Sequence, residues 1–160
     1  MSKRIALLIG VSNYENENNL PPCDADIDLM ADIIESSGKY DATLILKDSP
    51  KSIDAMAKIR SFITDFQNPV SDIDEIFFYY TGHGAKHSDD FLFLFSDFNN
   101  SKINATSLSN DDLDGMLKSL NPKLTVKVVD ACQAGIEYIK SEQASERNLE
   151  NILEKSKKRV

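Results

Sequence analysis

The sequence is poor in the residues that mark unusual architectures. Its 160 residues include two cysteines, six glycines and five prolines. These small numbers exclude a disulfide scaffold and a collagen-like repeat. Long hydrophobic runs are also lacking, because no stretch approaches the ~20 apolar residues that are needed to span a bilayer. Two thiols without a recognisable secretory signal indicate a reducing compartment. We therefore expect a soluble, cytoplasmic protein.

Basic residues are outnumbered in this chain. It has 18 lysines and arginines against 26 aspartates and glutamates, which gives a formal charge of -8 at pH 7. This balance argues against a nucleic-acid or anionic-membrane surface and favours cationic ligands or peptides as partners. Hydrophobic residues make up 41% of the chain, which excludes a disordered tail. A chain of this length buries roughly two thirds of its unfolded surface, enough for the core of one domain.

The order of the apolar segments predicts a mostly parallel sheet. Short apolar runs of strand length alternate with longer segments whose apolar residues recur at helical spacing. Strands that are apolar on both faces and separated by amphipathic helices are typical of an α/β domain with helices on both sides of the sheet. The predicted strands are residues 4–11, 43–46, 75–80, 91–95 and 124–129, and the predicted helices are residues 24–37, 52–66 and 109–120.

Two reactive side chains follow two of these strands. His83 follows the strand at 75–80, and Cys132 follows the strand at 124–129, 49 residues further along the chain. In open α/β sheets the ligand site lies at the carboxyl ends of the strands. A cysteine attacks a carbonyl only as the thiolate, and a neighbouring imidazole lowers its pKa. The sequence therefore predicts a catalytic pair, with a buried structural cysteine as the alternative.

Glycines flank the histidine on both sides. We expect Gly82 and Gly84 to remove side chains where the backbone of a substrate approaches. The amide groups of Gly84 and Cys132 are then candidates for a two-donor oxyanion hole. A histidine that only packs in a core requires neither glycine.

Four stretches of the sequence carry family-specific patterns. They are IALLIGV with a following NY at residues 5–14, the CDAD start of the first helix at 23–26, YYTGHG at 79–84 and VDACQAG at 129–135. They resemble the caspase-like cysteine peptidases, which include caspases, metacaspases, paracaspases and bacterial caspase-like proteins. The resemblance implies a three-layer α-β-α sandwich with His83 as the catalytic histidine and Cys132 as the nucleophile. The separation of these two residues matches the ~50 residues expected of caspases.

The stretch around the cysteine departs from the caspase pattern. Asp130 stands where caspases have glutamine, and two residues rather than one separate Cys132 from Gly135. This form is similar to metacaspases and bacterial relatives, and the resemblance implies an acidic substrate pocket formed by Asp26 and Asp130, with Cys23 beside them. A pair of carboxylates favours arginine or lysine before the cut bond and rejects aspartate. The alternative for Asp26 is an ordinary acid at a helix start.

No strand-like run follows Cys132 in the sequence. The resemblance implies two further strands and a helix there. We expect residues 1–140 to form a p20-type catalytic domain, the large-subunit portion, and residues 141–160 to be a helical and basic segment or an intersubunit linker. A C-terminal small subunit or a partner protein would then complete the sheet. The basic residues at 157–159 are candidate self-cleavage sites.

These features predict a regulated cysteine endopeptidase that cleaves proteins or peptides after a basic residue and has no nucleic-acid or membrane partner. No cofactor or metal is expected; the resemblance allows calcium activation, without ligands that can be named. The competing interpretation is a caspase-like pseudoenzyme or scaffold that acts through partner binding, which the presence of both His83 and Cys132 disfavours. An amidotransferase-type glutaminase is the next rival, but that class has its histidine downstream of its cysteine.

Overall fold

The computed structural model describes the backbone of residues 1–133 and the side chains of residues 1–131. The segment at 141–160 and its candidate self-cleavage sites lie outside the described residues. The strands are β1 (Ser2–Gly10), β2 (Ala42–Leu46), β3 (Asp72–His87), β4 (Asp90–Leu94), β5 (Ser107–Ser109) and β6 (Leu124–Gln133), and the helices are α1 (Pro22–Ser37), α2 (Ser52–Asp65) and α3 (Asn110–Lys118).

The described strands form one mixed sheet. The order along the sheet is β2-β1-β3-β4-β5, and β6 also pairs with β3. β1 pairs in parallel with β2 and β3, and β3 pairs in parallel with β6. β4 and β5 add antiparallel pairs. Parallel neighbours need long crossovers, and the helices between the strands supply them. The prediction of an α/β fold is confirmed.

Helices cover both faces of the sheet and produce three layers. Ile27 and Ile34 of α1 pack in one cluster with Ala6 and Leu8 of β1. The alternate residues of β1 belong to a larger cluster that also holds the apolar residues of α2 and α3. Successive strand residues point to opposite faces, so a strand covered on both sides is apolar throughout. Full burial of each such side chain contributes about 1.5–3 kcal/mol relative to exposure.

The start of α1 differs from the prediction. The helix begins at Pro22 rather than at residue 24, which fits the preference of proline for the first helical turn. If the helix began at residue 24, Asp24 would be expected to cap it. Instead, Asp24 accepts a hydrogen bond from Ser12 Oγ at 2.7 Å. This bond ties the loop after β1 to the helix. At its other end α1 is followed by Gly38. The backbone φ of Gly38 is 62°, in the left-handed region that glycine adopts most readily.

β3 and β6 extend further than predicted. Gly10, at the end of β1, pairs with Thr81, but β3 continues to His87. Beyond Thr81, β6 pairs with β3 as far as Gly84, and β4 pairs with β3 from Gly84 onward. β6 lies on the edge of β3 opposite β1, and β4 becomes a partner of β3 where β1 has ended. The prediction that the strand ends at residue 80 is wrong, because the TGHG motif lies within β3.

Candidate active site

The pairing of β3 with β6 aligns the two residues predicted to be catalytic. The Cα atoms of His83 and Cys132 are direct partners in this parallel ladder. Partner residues in neighbouring parallel strands share one face of the sheet, roughly 4.8 Å apart. Thr81 and Asp130 are partners two residues earlier, so the four positions share a face. The thiol of Cys132 lies outside the described side chains.

The imidazole of His83 is buried, and one of its nitrogens is engaged. The residue is 5% exposed, and Nε2 lies 2.7 Å from the backbone carbonyl oxygen of Asn18. A carbonyl oxygen only accepts, so in the neutral ring Nε2 carries the proton and Nδ1 keeps its lone pair. Within residues 1–131, Nδ1 has no hydrogen-bond partner. Nδ1 is thus able to accept a proton from a group on the neighbouring strand.

Sequence reasoning misses Asn18, because its contribution is a backbone carbonyl that every residue carries. The loop between β1 and α1 holds this carbonyl in place. Asn19 Oδ1 accepts a hydrogen bond from the amide of Tyr14 at 2.8 Å, and Ser49 Oγ accepts one from the amide of Asn13 at 2.9 Å. Asparagine favours such side-chain bonds to the backbone in turns. The abundance of asparagine in this loop is therefore the one sequence signal of its ordered shape.

The two glycines beside His83 make room for aromatic side chains of the protein itself. A Cβ atom on Gly82 would lie 2.6 Å from Tyr80 Oη and 2.7 Å from Tyr14 Oη. A Cβ atom on Gly84 would overlap the ring of Phe91. Real Cβ atoms essentially never approach other atoms so closely. The packing of the protein itself therefore requires both glycines, and the approach of a substrate backbone to them stays a prediction.

The two predicted oxyanion-hole residues lie on adjacent strands. The ladder partner of Gly84 is Gln133, the residue after Cys132. Gly84 and Cys132 are therefore offset by one position along neighbouring strands. The oxyanion role of their amide groups stays a prediction.

The three residues of the predicted acidic pocket all act on the Tyr79 hydroxyl. Burial raises the pKa of this hydroxyl above its usual value, a hydrogen bond with Thr81 lowers it, and the charges of Asp26, Asp130 and Cys23 raise it. Charge interactions weaken with separation and solvent. The joint role of these residues in a substrate pocket stays a prediction. Asp130 is exposed, Asp26 is half-buried and Cys23 is buried.

Thr81 connects this acidic group to β3. Its Oγ1 donates to Asp26 Oδ2 at 3.4 Å. Sequence reasoning did not single out Thr81, although its position two residues before His83 in the same strand places both on one face. This alternation is the signal that could have found it.

Among the side chains that the structure describes, no group of three or more His, Cys, Asp or Glu residues is arranged to hold a metal ion. In the described part of the chain, each helix is too short or too polar to cross a bilayer.

Comparison with known proteins identifies the family of the chain. The family model of the caspase domain, Peptidase_C14, matches residues 3–159. A search of curated proteins finds no match. The family match spans almost the whole chain, including the strands that carry His83 and Cys132. The chain therefore belongs to the caspase-domain family of peptidases.

Proposed function

We propose that this protein is a cysteine endopeptidase in which His83 and Cys132 form the catalytic dyad and which cleaves after arginine or lysine. At the family level, the caspase domain supports cysteine peptidase activity. The observation that carries the proposal is the direct pairing of His83 with Cys132, beside a buried Nδ1 that has no partner among the described residues. A nucleophilic cysteine requires a base at this position.

The proposed reaction uses each nitrogen of His83 differently. Nε2 holds its proton against the carbonyl of Asn18, so the ring orientation is fixed. Nδ1 accepts the proton of the Cys132 thiol, and the thiolate attacks the carbonyl carbon of the substrate. The amides of Gly84 and Cys132 stabilise the resulting oxyanion. The imidazolium then gives the proton to the leaving amine, and water hydrolyses the thioester to release the acid and restore the thiol.

The proposed preference for a basic residue comes from the acidic group around Tyr79. Asp26 and Asp130 both act on that hydroxyl, which supports a joint role for the two carboxylates in binding one cationic side chain. Thr81 holds one of these carboxylates by a hydrogen bond. Two carboxylates favour a guanidinium or ammonium group and repel the aspartate that caspases prefer.

The proposed partner is a strand that lies along β6. Among the described strands, β6 pairs with β3 alone. Leu124, Val128 and Val129 of β6 are exposed apolar residues. Natural proteins cover such strand edges, because they otherwise recruit other chains. We expect a small subunit or a partner protein to supply this strand, with residues 1–140 as the catalytic domain and residues 141–160 as the linker in which self-cleavage occurs.

The test is cleavage of a peptide library whose members differ only in the residue before the cut. The longest available chain is compared with its Cys132→Ala variant, each with and without calcium. We expect Cys132-dependent cleavage after arginine or lysine. Cleavage after aspartate would retain the dyad and overturn the pocket assignment. If no cleavage occurs even after a segment that completes the sheet is added, the protein is a pseudoenzyme.

A further inference from the structure

The backbone of His83 is held by two buried tyrosines. Tyr80 precedes His83 by three residues in β3, and Tyr14 comes from the loop after β1. The hydroxyl of Tyr80 donates to the carbonyl oxygen of His83 at 2.5 Å. The hydroxyl of Tyr14 accepts a hydrogen bond from the amide of His83 at 2.8 Å. We call Tyr14 and Tyr80 the tyrosine bridge.

The same two hydroxyls also contact Leu94, at the end of β4. The amide of Leu94 donates to Tyr80 Oη at 3.2 Å, and Tyr14 Oη donates to the carbonyl oxygen of Leu94 at 3.2 Å. Each hydroxyl has one proton and two lone pairs. One arrangement of the two protons therefore satisfies the amide and carbonyl of both His83 and Leu94. Burial raises the pKa of Tyr80 well above its usual value, so its hydroxyl keeps its proton near neutral pH.

The tyrosine bridge lies where the ordinary sheet ladder stops. β1 ends at Gly10, which pairs with Thr81, two residues before His83. From there the backbone of β3 has no β1 neighbour, and buried amides and carbonyls need other partners. The two hydroxyls supply these partners at His83. Gly82 is required for this arrangement, since its missing Cβ leaves the space that both hydroxyls occupy.

Tyr14 also contacts the catalytic ring directly. Its ring centroid lies 4.6 Å from that of His83, at an interplanar angle of 57°. Nε2 of the same imidazole is hydrogen-bonded to the carbonyl of Asn18, which lies in the same loop as Tyr14. The ring of His83 is therefore fixed by one tilted ring contact and one hydrogen bond, and its backbone by the tyrosine bridge.

We infer that Tyr14 and Tyr80 are positioning residues that hold His83 so that Nδ1 is aimed at Cys132. This inference rests on the proposed function, because it assigns a purpose to the dyad. The inferred role does not require either hydroxyl to contact the substrate or the reacting atoms. Misplacement of a catalytic group by about 1 Å can lower a rate roughly a hundredfold. Loss of either hydrogen bond to the backbone of His83 is therefore expected to lower the rate of cleavage.

The test replaces each phenol with a ring of the same shape. Tyr80→Phe and Tyr14→Phe remove one hydroxyl each and keep the ring. We expect each to lower kcat by about tenfold to a hundredfold, with KM changed by less than about twofold because substrate contacts remain. The double variant should lose less than the product of the two effects, since both hydroxyls act on one residue.

A second readout does not depend on turnover. The alkylation rate of Cys132 by iodoacetamide, followed by mass spectrometry of its peptide, is measured against pH. In the wild-type chain we expect alkylation well below pH ~8.5, the ordinary thiol pKa. His83→Ala should move the profile towards that value, and Tyr80→Phe should move it part of the way. Gly82→Ala, which keeps both hydroxyls but displaces them, should act like Tyr80→Phe.

Tyr40→Phe is the matched control, because it removes a half-buried hydroxyl that donates to Glu75, away from His83. It should leave the alkylation profile unchanged. If His83→Ala shifts the profile and Tyr80→Phe does not, the positioning role is overturned while the dyad stands. If His83→Ala itself has no effect, the dyad and the positioning role are both overturned. A loss in Tyr80→Phe that Tyr40→Phe reproduces would show a general loss of stability and would also overturn the inference.

Discussion

At the amino end of β3, Glu75 is buried with both carboxylate oxygens hydrogen-bonded, whereas near the carboxyl end His83 is buried with one ring nitrogen bonded to a backbone carbonyl. Glu75 accepts hydrogen bonds from Lys39 Nζ at 2.8 Å and from Tyr40 Oη at 2.5 Å. Nδ1 of His83 has no partner among the described residues. One strand therefore carries a carboxylate whose hydrogen bonds are complete and an imidazole whose Nδ1, in the proposed dyad, is left for Cys132.

The difference between the two ends predicts which substitutions affect stability and which affect activity. Both carboxylate oxygens of Glu75 accept hydrogen bonds, so substitutions there should lower the free energy of unfolding. Around His83 the contacts fix the orientation of a reactive group, so changes there should lower the rate.

Of these substitutions, His83→Ala should have the largest effect on activity. It removes the base from the proposed dyad, and we expect kcat to fall at least about a thousandfold. The free energy of unfolding should fall less, since the substitution removes one hydrogen bond, from Nε2 to the carbonyl of Asn18. Peptide cleavage and denaturant unfolding on the same samples measure both effects. Retention of wild-type turnover by this variant would contradict the dyad.

Asp130→Asn should act on substrate choice. Removing one carboxylate of the proposed pocket should lower kcat/KM for an arginine substrate by roughly tenfold to a hundredfold. Asp28→Asn is the matched control, since Asp28 is an exposed acid of α1 that lies 3.7 Å from Lys47. We expect the control to stay within about twofold of the wild type. Equal losses in both variants would indicate a general charge effect and remove the case for a pocket.

Glu75→Gln should lower stability and leave cleavage unchanged. Burial pushes the pKa of Glu75 upward, but hydrogen bonds from Lys39 and Tyr40 outweigh it, so the pKa lies below its usual value. A carboxyl with a lowered folded-state pKa stabilises the protein above its unfolded pKa, near ~4.3, and the contribution is lost as pH falls through the folded pKa. We expect a loss of about 1–2 kcal/mol at pH 7.

The pH dependence of this variant provides its control. The difference in unfolding free energy between the wild type and Glu75→Gln should narrow as the pH falls from 7 towards ~3. A difference that stays constant over this range would show that the charge of Glu75 is not the source of the effect.

Tyr40→Phe should have the smallest effect. It removes one hydrogen bond to Glu75 and should lower the free energy of unfolding by about 0.5–1.5 kcal/mol. Lys39 remains bonded to the same carboxylate, which limits the loss. Thermal unfolding measures it. A change in kcat for this variant would mean that the two ends of β3 are coupled, contrary to the separation described above.

The sequence predicts the architecture because its signals are local. Alternating apolar strands and amphipathic helices predict the α/β class, and Ser109 predicts the start of α3, where its Oγ accepts a hydrogen bond from the amide of Asp112 at 3.1 Å. The lengths of β3 and β6 are not predictable in this way. TGHG has the composition of a turn, and only the pairing of β3 with β4 and β6 keeps it extended.

The candidate site divides along similar lines. His83, Cys132 and the acids are visible in the sequence, because their side chains carry the chemistry. Asn18 is not, since it acts through its backbone, and Tyr80 looks like an ordinary core residue of an apolar strand. The packing role of Gly82 is not visible for the same reason: the atoms that occupy the space beside it come from Tyr14 and Tyr80, which only the folded chain brings there.

The bond from His83 to the carbonyl of Asn18 has a consequence for mutational screens. Because a main-chain oxygen survives every substitution, the side chain at position 18 should be freely exchangeable, and saturation mutagenesis would score it as unimportant. The length of the segment between Tyr14 and Asn19 is a different matter, since inserting one residue there would carry the carbonyl away from the imidazole. The site thus depends on the number of residues in this segment rather than on their types. Insertions and deletions would reveal this dependence, whereas point mutations would not.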